Sequence, residues 1–480
     1  METKFFHHAL RVLENQCIGC THCMKVCPTG AIRVIEGLAR INDNRCVDCG
    51  MCLRSCPVKA IIVEQDDFSR IFKYKHRVAL IPAVLIGQFP EEVPTPLITS
   101  ILFELGFNKV VEVETGVSLL KEAMEQYLAD DTHPRPLISS FCPAIVRLIQ
   151  VRFPALVDNI MLLKPPLDIT AWAIREELHK TGATDDEIGI FYVTPCAAKI
   201  AAIKSPVGEK ESPVTGVINM DTMYNKIYRV IKAGKEDHCV VPENEPLEKF
   251  AIRWTLTHGE ANNFEGRCLA IDEIHNVIDF LEKIENEDIT NIDFLELRAC
   301  DQSCAGGVLV QGNRFLVRER LRKRARKESR KNNSGFSPLI TANESFLREH
   351  LGLEKLEPRP LVHLTGEPAD ALKKMEISKM ALKCLPHLDC GACGTPSCEF
   401  LANDIAMGIG SIQQCFYISR LLEKQQVLNP DEAFHTLCHI WGEDKIREER
   451  WNANFHHLNE LIEKENNLNK SNDDESKRIG

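Results

Sequence analysis

The chain has 480 residues, a length that suggests two to four domains. Apolar residues make up 44% and charged residues 26%, the balance of a globular protein rather than a disordered one. A formal net charge of −11 argues against general nucleic-acid binding and leaves the fold open.

The opening stretch, METKFFHHALRVLENQC, lacks the basic start, apolar core and cleavage site of a signal peptide. Twenty cysteines in a long, leaderless chain therefore read as metal ligands in a reducing, cytoplasmic compartment rather than as disulfides. Within residues 1–72, Cys17, Cys20, Cys23 and Cys27 precede Pro28, and Cys46, Cys49, Cys52 and Cys56 precede Pro57. Each run is C-x2-C-x2-C-x3-C-P, in which one loop wraps three corners of a cubane and the fourth thiolate reaches across to the other cluster. One cluster is then expected on Cys17, Cys20, Cys23 and Cys56, the other on Cys46, Cys49, Cys52 and Cys27. Tetrahedral zinc uses two close pairs instead, so zinc does not suit this pattern. The segment resembles the bacterial two-cluster ferredoxins.

From 73 to 322, short apolar runs alternate with amphipathic stretches, the signature of parallel α/β architecture. The longest apolar run, Val78 to Gly87, is too short to span a bilayer and reads as a buried strand. Three runs end at a cysteine: LISSFCP at Cys142, IGIFYVTPC at Cys196 and IDFLELRAC at Cys300. Ligands in open α/β sheets sit beyond strand carboxyl ends, so these cysteines could converge on one cleft. The helix expected after Cys142 would turn its positive dipole end toward that cleft.

Residues 318–331 hold nine basic and two acidic residues. They read as a solvated helix leaving the domain, or alternatively as a docking site for an acidic partner. A linker is expected over 323–370, with Asn332 to Gly335 as its flexible part. In 371–420, Cys390, Cys393, Cys398 and Cys415 follow C-x2-C-x4-C-x16-C, which can close one more cubane, with zinc as the alternative. A helical segment and polar tail are expected over 421–480. Cys239, Cys268, Cys384 and Cys438 read as small buried hydrophobes. The adjacent pairs His7–His8 and His456–His457 read as surface residues.

Three ordered loops, SSFCPAIV, TPCAAK and ELRACDQSCAGG, make the middle segment resemble the large catalytic domain of [FeFe]-hydrogenases. The resemblance implies that Cys142, Cys196, Cys300 and Cys304 hold a [4Fe–4S] cubane. It also implies that Cys304 bridges to a two-iron unit with CO and cyanide, and that Lys199 hydrogen-bonds a cyanide. Glu122 and Glu125 match the acidic positions of the family's proton relay, although their spacing also suits an exposed acidic helix face. Several departures weaken the catalytic reading. The family's proton-donor cysteine is Phe141 here, and a relay serine aligns with Pro165. Thr194 and Arg298 replace methionines that pack on the two-iron unit, and Ser303 replaces a glycine. Hydrogen chemistry needs a titratable donor within hydrogen-bond reach, and phenylalanine is none. The third loop resembles the sensory-type hydrogenases. The last four-cysteine module resembles that of the Rnf electron-transfer complex and of sensory hydrogenases.

The expected architecture is an α/β, hydrogenase-like two-lobed core, an N-terminal α+β two-cluster ferredoxin domain and a small helical C-terminal Fe–S module. It would carry four [4Fe–4S] clusters, with a diiron subcluster in the core. The expected function is electron transfer coupled to an H-cluster-like site, a sensory-type or weakly active hydrogenase acting on H2. A multi-cluster carrier with cubanes only is the alternative; a cluster-assembly scaffold fits less well. Expected partners are a ferredoxin or oxidoreductase subunit and a separate signalling protein.

Overall fold

The computed structural model describes residues 6–234, 246–327, 335–359, 368–446 and 454–464. Among them no helix is long and apolar enough to cross a membrane. The strands are β1 Leu10–Val12, β2 Ile32–Ile35, β3 Leu38–Ile41, β4 Ile61–Val63, β5 His76–Ile81, β6 Lys109–Glu112, β7 Leu137–Ile138, β8 Ile188–Thr194, β9 Gly216–Asn219, β10 Cys268–Ile271 and β11 Phe294–Leu297. The chain forms two compact units, one of Met1–Leu13, Val26–Ala31 and Asn42–His363, the other of Glu14–Lys25, Ile32–Ile41 and Leu364–Gly480.

The first unit is mixed α/β with parallel sheets. One sheet runs β6-β5-β8-β9 and another β10-β11-β7, all parallel pairs, while β1 and β4 pair antiparallel. Ile188–Thr194 is buried at every position, as expected of a strand covered on both faces. The run Val78–Gly87 is not one strand. It is strand to Ile81 and helix over Ala83–Gly87, because Pro82 cannot donate to the sheet ladder and suits the start of a helix.

Two expectations past residue 313 change. The helix Arg314–Lys327 does not leave the unit: Val317, Leu321 and Ala325 are buried. Its cations are used internally. Arg324 makes a bidentate pair with Glu112 at 2.6 and 2.7 Å, and Lys323 and Lys327 pair with Glu91. Arg320 donates to the Gln88 carbonyl and Arg318 to Gln302. The rest of the basic run, 328–331, lies outside the described residues, as do 332–334. Residues 335–359 are no free linker, since Ile340, Leu347, Leu351 and Leu356 are buried in the core.

In the second unit, β2 and β3 form a hairpin with Ile32 opposite Ile41. Helices follow at Pro368–Cys384, Cys398–Ala406, Phe416–Lys424 and Pro430–Trp441. Leu385, Cys398, Leu401, Ala402 and Cys415 make its small core. The expected polar tail past Glu463 and Lys464 lies outside the described residues.

Candidate metal centres and their relatives

The core site is assembled from three strand ends. Cys142 lies just past β7 and caps the helix Pro143–Arg152, its carbonyl accepting from Ile145 and Val146 N–H at 2.9 and 3.1 Å. Cys196 lies just past β8 and precedes the helix Ala197–Lys204. The Thr194 hydroxyl ties that turn by donating to the Cys196 carbonyl at 2.9 Å. Cys300 lies just past β11, and a turn through Gln302 and Ser303, both at positive φ, returns the chain to Cys304. Cys304 N–H donates to the Thr255 carbonyl.

These four cysteines share one buried environment. Burial pushes the Cys196 thiol up to about 12, even though Lys199 pulls it down, and Cys304 and Cys142 add to the rise. Burial also raises Cys300, with Cys196 and Cys142 next in effect, and raises Cys304 against the pull of Lys199 and Arg298. The thiols of Cys196, Cys300 and Cys304 would stay protonated alone. Iron supplies the positive charge that makes thiolates favourable there, so the donor set fits a cubane.

The surroundings of Phe141 are the unexpected part. Its ring is 4% exposed. Lys199 Nζ lies 4.5 Å from its centroid, and the Arg298 guanidinium carbon lies 3.9 Å from it. Arg298 is held by two buried carboxylates, Glu260 at 3.3 Å and Glu296 at 3.5 Å. Glu296 also accepts from the backbone N–H of Glu260 and Ala261, each at 2.9 Å. Burial lifts Glu260 to about 7, opposed by Arg298 and assisted by Glu296. Lys199 is kept charged: burial would lower it, but Tyr192, Cys304 and Cys196 outweigh that and raise it. Arg298 stands out in the sequence, whereas Glu260, 38 residues away, leaves no local spacing signal, and Glu296, two residues before Arg298, reads as an ordinary strand residue.

A cavity of about 80 Å³ adjoins this ring, lined by Phe141, Pro165, Asp168, Lys199 and Glu209 among others. Burial raises Asp168 to about 7, with Glu209 adding to the rise and Lys164 and Lys199 opposing it. Glu122 and Glu125 lie elsewhere. Glu122 pairs with Arg348 at 2.9 Å and Glu125 with Lys121, on the outer face of the helix Val117–Ala129. The exposed-face reading of that spacing describes them.

The second ferredoxin set also converges. Burial raises Cys49 to about 12, with Cys27 next in effect, and Cys46 is raised by burial with further contributions from Asp48, Cys27 and Cys52. This loop packs on the core site's third loop. Gly50, at φ +79°, sits so close that a Cβ there would lie 2.6 Å from Val308 Cγ1. Arg54 donates to the Gly306 carbonyl and lies within the field of Cys300. His8 is not a surface residue. It is buried, with Nδ1 2.7 Å from the Asp48 carboxylate and Nε2 2.8 Å from the Asp43 carbonyl. Asp48 also accepts from Ala9 N–H and from Arg147 at 2.9 Å. His8, Cys46 and Asp48 lie close enough together to suggest a metal site. The filled hydrogen bonds of His8 and Asp48 instead make this a structural network.

Cys17, Cys20 and Cys23 lie in the second unit and Cys56 in the first, where its sulfur accepts from Ala60 N–H at 3.2 Å. Cys390, Cys393, Cys398 and Cys415 line one cavity of the second unit. Burial raises Cys393, with Cys390 and Cys415 contributing. Cys398 N–H donates to Asp389 at 2.7 Å and opens the helix Cys398–Ala406, whose positive end favours an anionic cluster. Of the remaining cysteines, Cys438 is buried as expected and Cys268 is intermediate. Cys384 is exposed, because it ends a helix with no fully buried position, and Cys239 lies outside the described residues.

Comparison with known proteins agrees with this geometry. Residues 75–248 match the family model "Iron only hydrogenase large subunit, C-terminal domain". Residues 9–59 match a "4Fe-4S dicluster domain" and 385–417 an Fe–S cluster domain. "NADP-reducing hydrogenase subunit HndD" of Solidesulfovibrio fructosivorans is 23% identical over 328 residues, 64% of this chain and 50% of that protein. "Iron hydrogenase 1" of Clostridium pasteurianum is 24% identical over 232 residues, 46% of this chain and 38% of that protein. The chain thus spans half or less of the curated relatives it matches. A solved variant of [FeFe]-hydrogenase HydA1 from Chlamydomonas reinhardtii aligns with a TM-score of 0.43 and 14% identity, covering 60% of this chain and 95% of that one. The chain thus carries a hydrogenase-like domain, with ferredoxin-like and further Fe–S segments around it.

Proposed function

We propose that this protein is a multi-cluster electron carrier. Its hydrogenase-like core holds a cubane on Cys142, Cys196, Cys300 and Cys304 without a two-iron unit. The observation that carries this reading is the Phe141 ring, on which both Lys199 and Arg298 pack. Lys199, which would meet a cyanide, caps an aromatic face instead. Arg298, where a methionine would pack, is anchored to Glu260 and Glu296. The diiron unit does not fit these side chains. Further cubanes on the ferredoxin cysteines and on Cys390, Cys393, Cys398 and Cys415 make four in all. Electrons reach the core cubane from the cluster of Cys27, Cys46, Cys49 and Cys52, across the close Gly50–Val308 approach. A redox partner protein, a ferredoxin or an oxidoreductase subunit, supplies or accepts them.

The test is to mature the full chain anaerobically with the diiron cofactor and record its infrared spectrum. No CO or cyanide bands are expected, alongside iron and sulfide for cubanes only. Such bands would overturn the reading. One observation favours a second reading, a sensory-type hydrogenase responding to H2 with a separate signalling partner: Lys199 is retained and lies in the field of Cys304. In that case Phe141→Cys, which restores a proton donor, raises turnover.

A further inference from the structure

The second unit brings two cysteine loops together that are more than three hundred residues apart in the chain. Met24, the neighbour of Cys23, is fully buried, and a Cβ on Gly391, the neighbour of Cys390, would lie 3.0 Å from its Cε. Gly391 holds φ +77°, a conformation that keeps its loop flat against that methionine. Around this point the hairpin and the C-terminal module are bonded repeatedly. Val34 N–H donates to the Gly394 carbonyl at 2.9 Å, while Glu36 and Gly37 N–H donate to the carbonyls of His439 and Ile440 at 2.7 and 2.9 Å. Trp441 Nε1 donates to the Ala392 carbonyl at 3.1 Å. Arg33 grips Asp404 with two hydrogen bonds of 2.6 and 3.1 Å, its side chain 14% exposed and that of Asp404 7%. The Arg33 guanidinium also lies over the Phe400 ring at 5.3 Å. Lys445 Nζ clasps the carbonyls of Ile18, next to Cys17, and of Gly37.

A bidentate, largely buried arginine–carboxylate pair fixes orientation as well as proximity. Here it fixes two loops whose cysteines would each cage iron, with one methionine side chain between them. Cys390 is exposed while Cys398 and Cys415 are buried, so the module has one open side.

We propose that the C-terminal cluster exchanges electrons directly with the cluster held by Cys17, Cys20 and Cys23, across the Met24–Gly391 contact. This rests on the reading that both cysteine sets hold cubanes. One electron leaves a reduced cubane and enters an oxidised one, and no bond or proton moves. Arg33 and Asp404 are positioning residues for this step. The exposed Cys390 side is where a one-electron carrier protein meets the relay.

The experiment is electron paramagnetic resonance on the anaerobically reduced full chain. In the wild type, the signal of the first ferredoxin cluster carries an added splitting from the C-terminal spin. Cys398→Ala removes that splitting together with about four irons per chain. Asp404→Arg removes the splitting while keeping all iron, and adding Arg33→Asp to it, which reverses the pair, restores most of it. Wild-type protein with iron for every cluster but no added splitting overturns the proposal, as does unchanged splitting in an iron-replete Asp404→Arg protein. If Asp404→Arg loses iron, the wild type against Cys398→Ala decides alone. Unchanged iron in Cys398→Ala is a different failure, that of the cluster reading of the module.

Discussion

Replacing Phe141 by alanine tests the wedge at the core site. The ring is 4% exposed and sits in the same buried cluster as Trp254, Met161 and Phe294. Removing a buried phenylalanine side chain costs about 3–5 kcal/mol in lost transfer energy and cavity formation. Desolvated cation–π contacts such as those of Lys199 and Arg298 add about 2 kcal/mol. The two terms overlap, so a destabilisation of about 5 kcal/mol is expected for the first unit. Iron–sulfur proteins seldom refold after losing their clusters, so the measurement is an unfolding rate. At about 1.4 kcal/mol per decade, the full loss on the unfolding side accelerates it roughly 10³- to 10⁴-fold. Anaerobic urea unfolding followed by tryptophan fluorescence reads it, because Trp254 reports from within the cluster. Phe141→Leu keeps most of the volume and should cost about 1.5 kcal/mol, near the upper end for a volume-conserving swap. An alanine variant that unfolds less than about tenfold faster would mean that the ring is no wedge, and the argument against a two-iron unit would lose its support.

Gly50→Val meets both a left-handed backbone and the stiff Val308 side chain, terms of about 1–2 and 1–3 kcal/mol. It should lower the melting temperature and slow reduction of the core cubane in stopped-flow absorbance, with the Cys27 cluster still formed. Asp48→Asn leaves the buried Arg147 cation without its anion, and a loss of about 3–5 kcal/mol in denaturant unfolding is expected. Asp168 gives a pH dependence. Burial raises its folded pKa from the ordinary carboxylate value near 3.8 to about 7, so the folded state binds the extra proton between those values. Stability therefore falls as pH rises from about 4 to 7 and levels off above, the reverse of a paired carboxylate. Asp168→Asn should be more stable than the wild type at pH 8, with the difference vanishing near pH 4, in thermal melts.

The iron–sulfur character of the chain is legible in its sequence because thiolate spacing is a local property. Three cysteines separated by two residues can wrap one cubane whatever the rest of the chain does, and strand-end cysteines follow from sheet topology. What the spacing could not reveal was long-range pairing of ordinary residues. Arg33 and Asp404 are separated by 371 positions, and neither stands in a motif. The same holds for Arg298 with Glu260, and for Arg324 with Glu112, whose pairing turns an expected solvated helix into a packed one. His8 misled for a related reason: adjacent histidines cannot share a helix face, yet an extended segment lets one turn inward. Pro82 was visible in its apolar run, and its weight as a boundary between strand and helix was underestimated.

The cavity beside Phe141 offers the sharpest physical reason to prefer electron transfer over hydrogen chemistry. Its titratable groups, Asp168, Glu209 and Lys199, are the kind that could deliver a proton, and Asp168 is poised near neutrality. Yet none of the four core cysteines lines the cavity, whereas Phe141 and Pro165 both do. A proton arriving there meets an aromatic ring and a proline, neither of which has a proton to pass on. Arg298 packs on that ring, and Lys199 stays charged under the influence of Tyr192, Cys304 and Cys196. A cation held in that state by its neighbours is a fixed charge rather than a shuttle. Fixed positive charge beside a cubane favours its reduced, more negative form, so Lys199 would raise the electron affinity of a cubane held on these cysteines while Phe141 would deny it a proton.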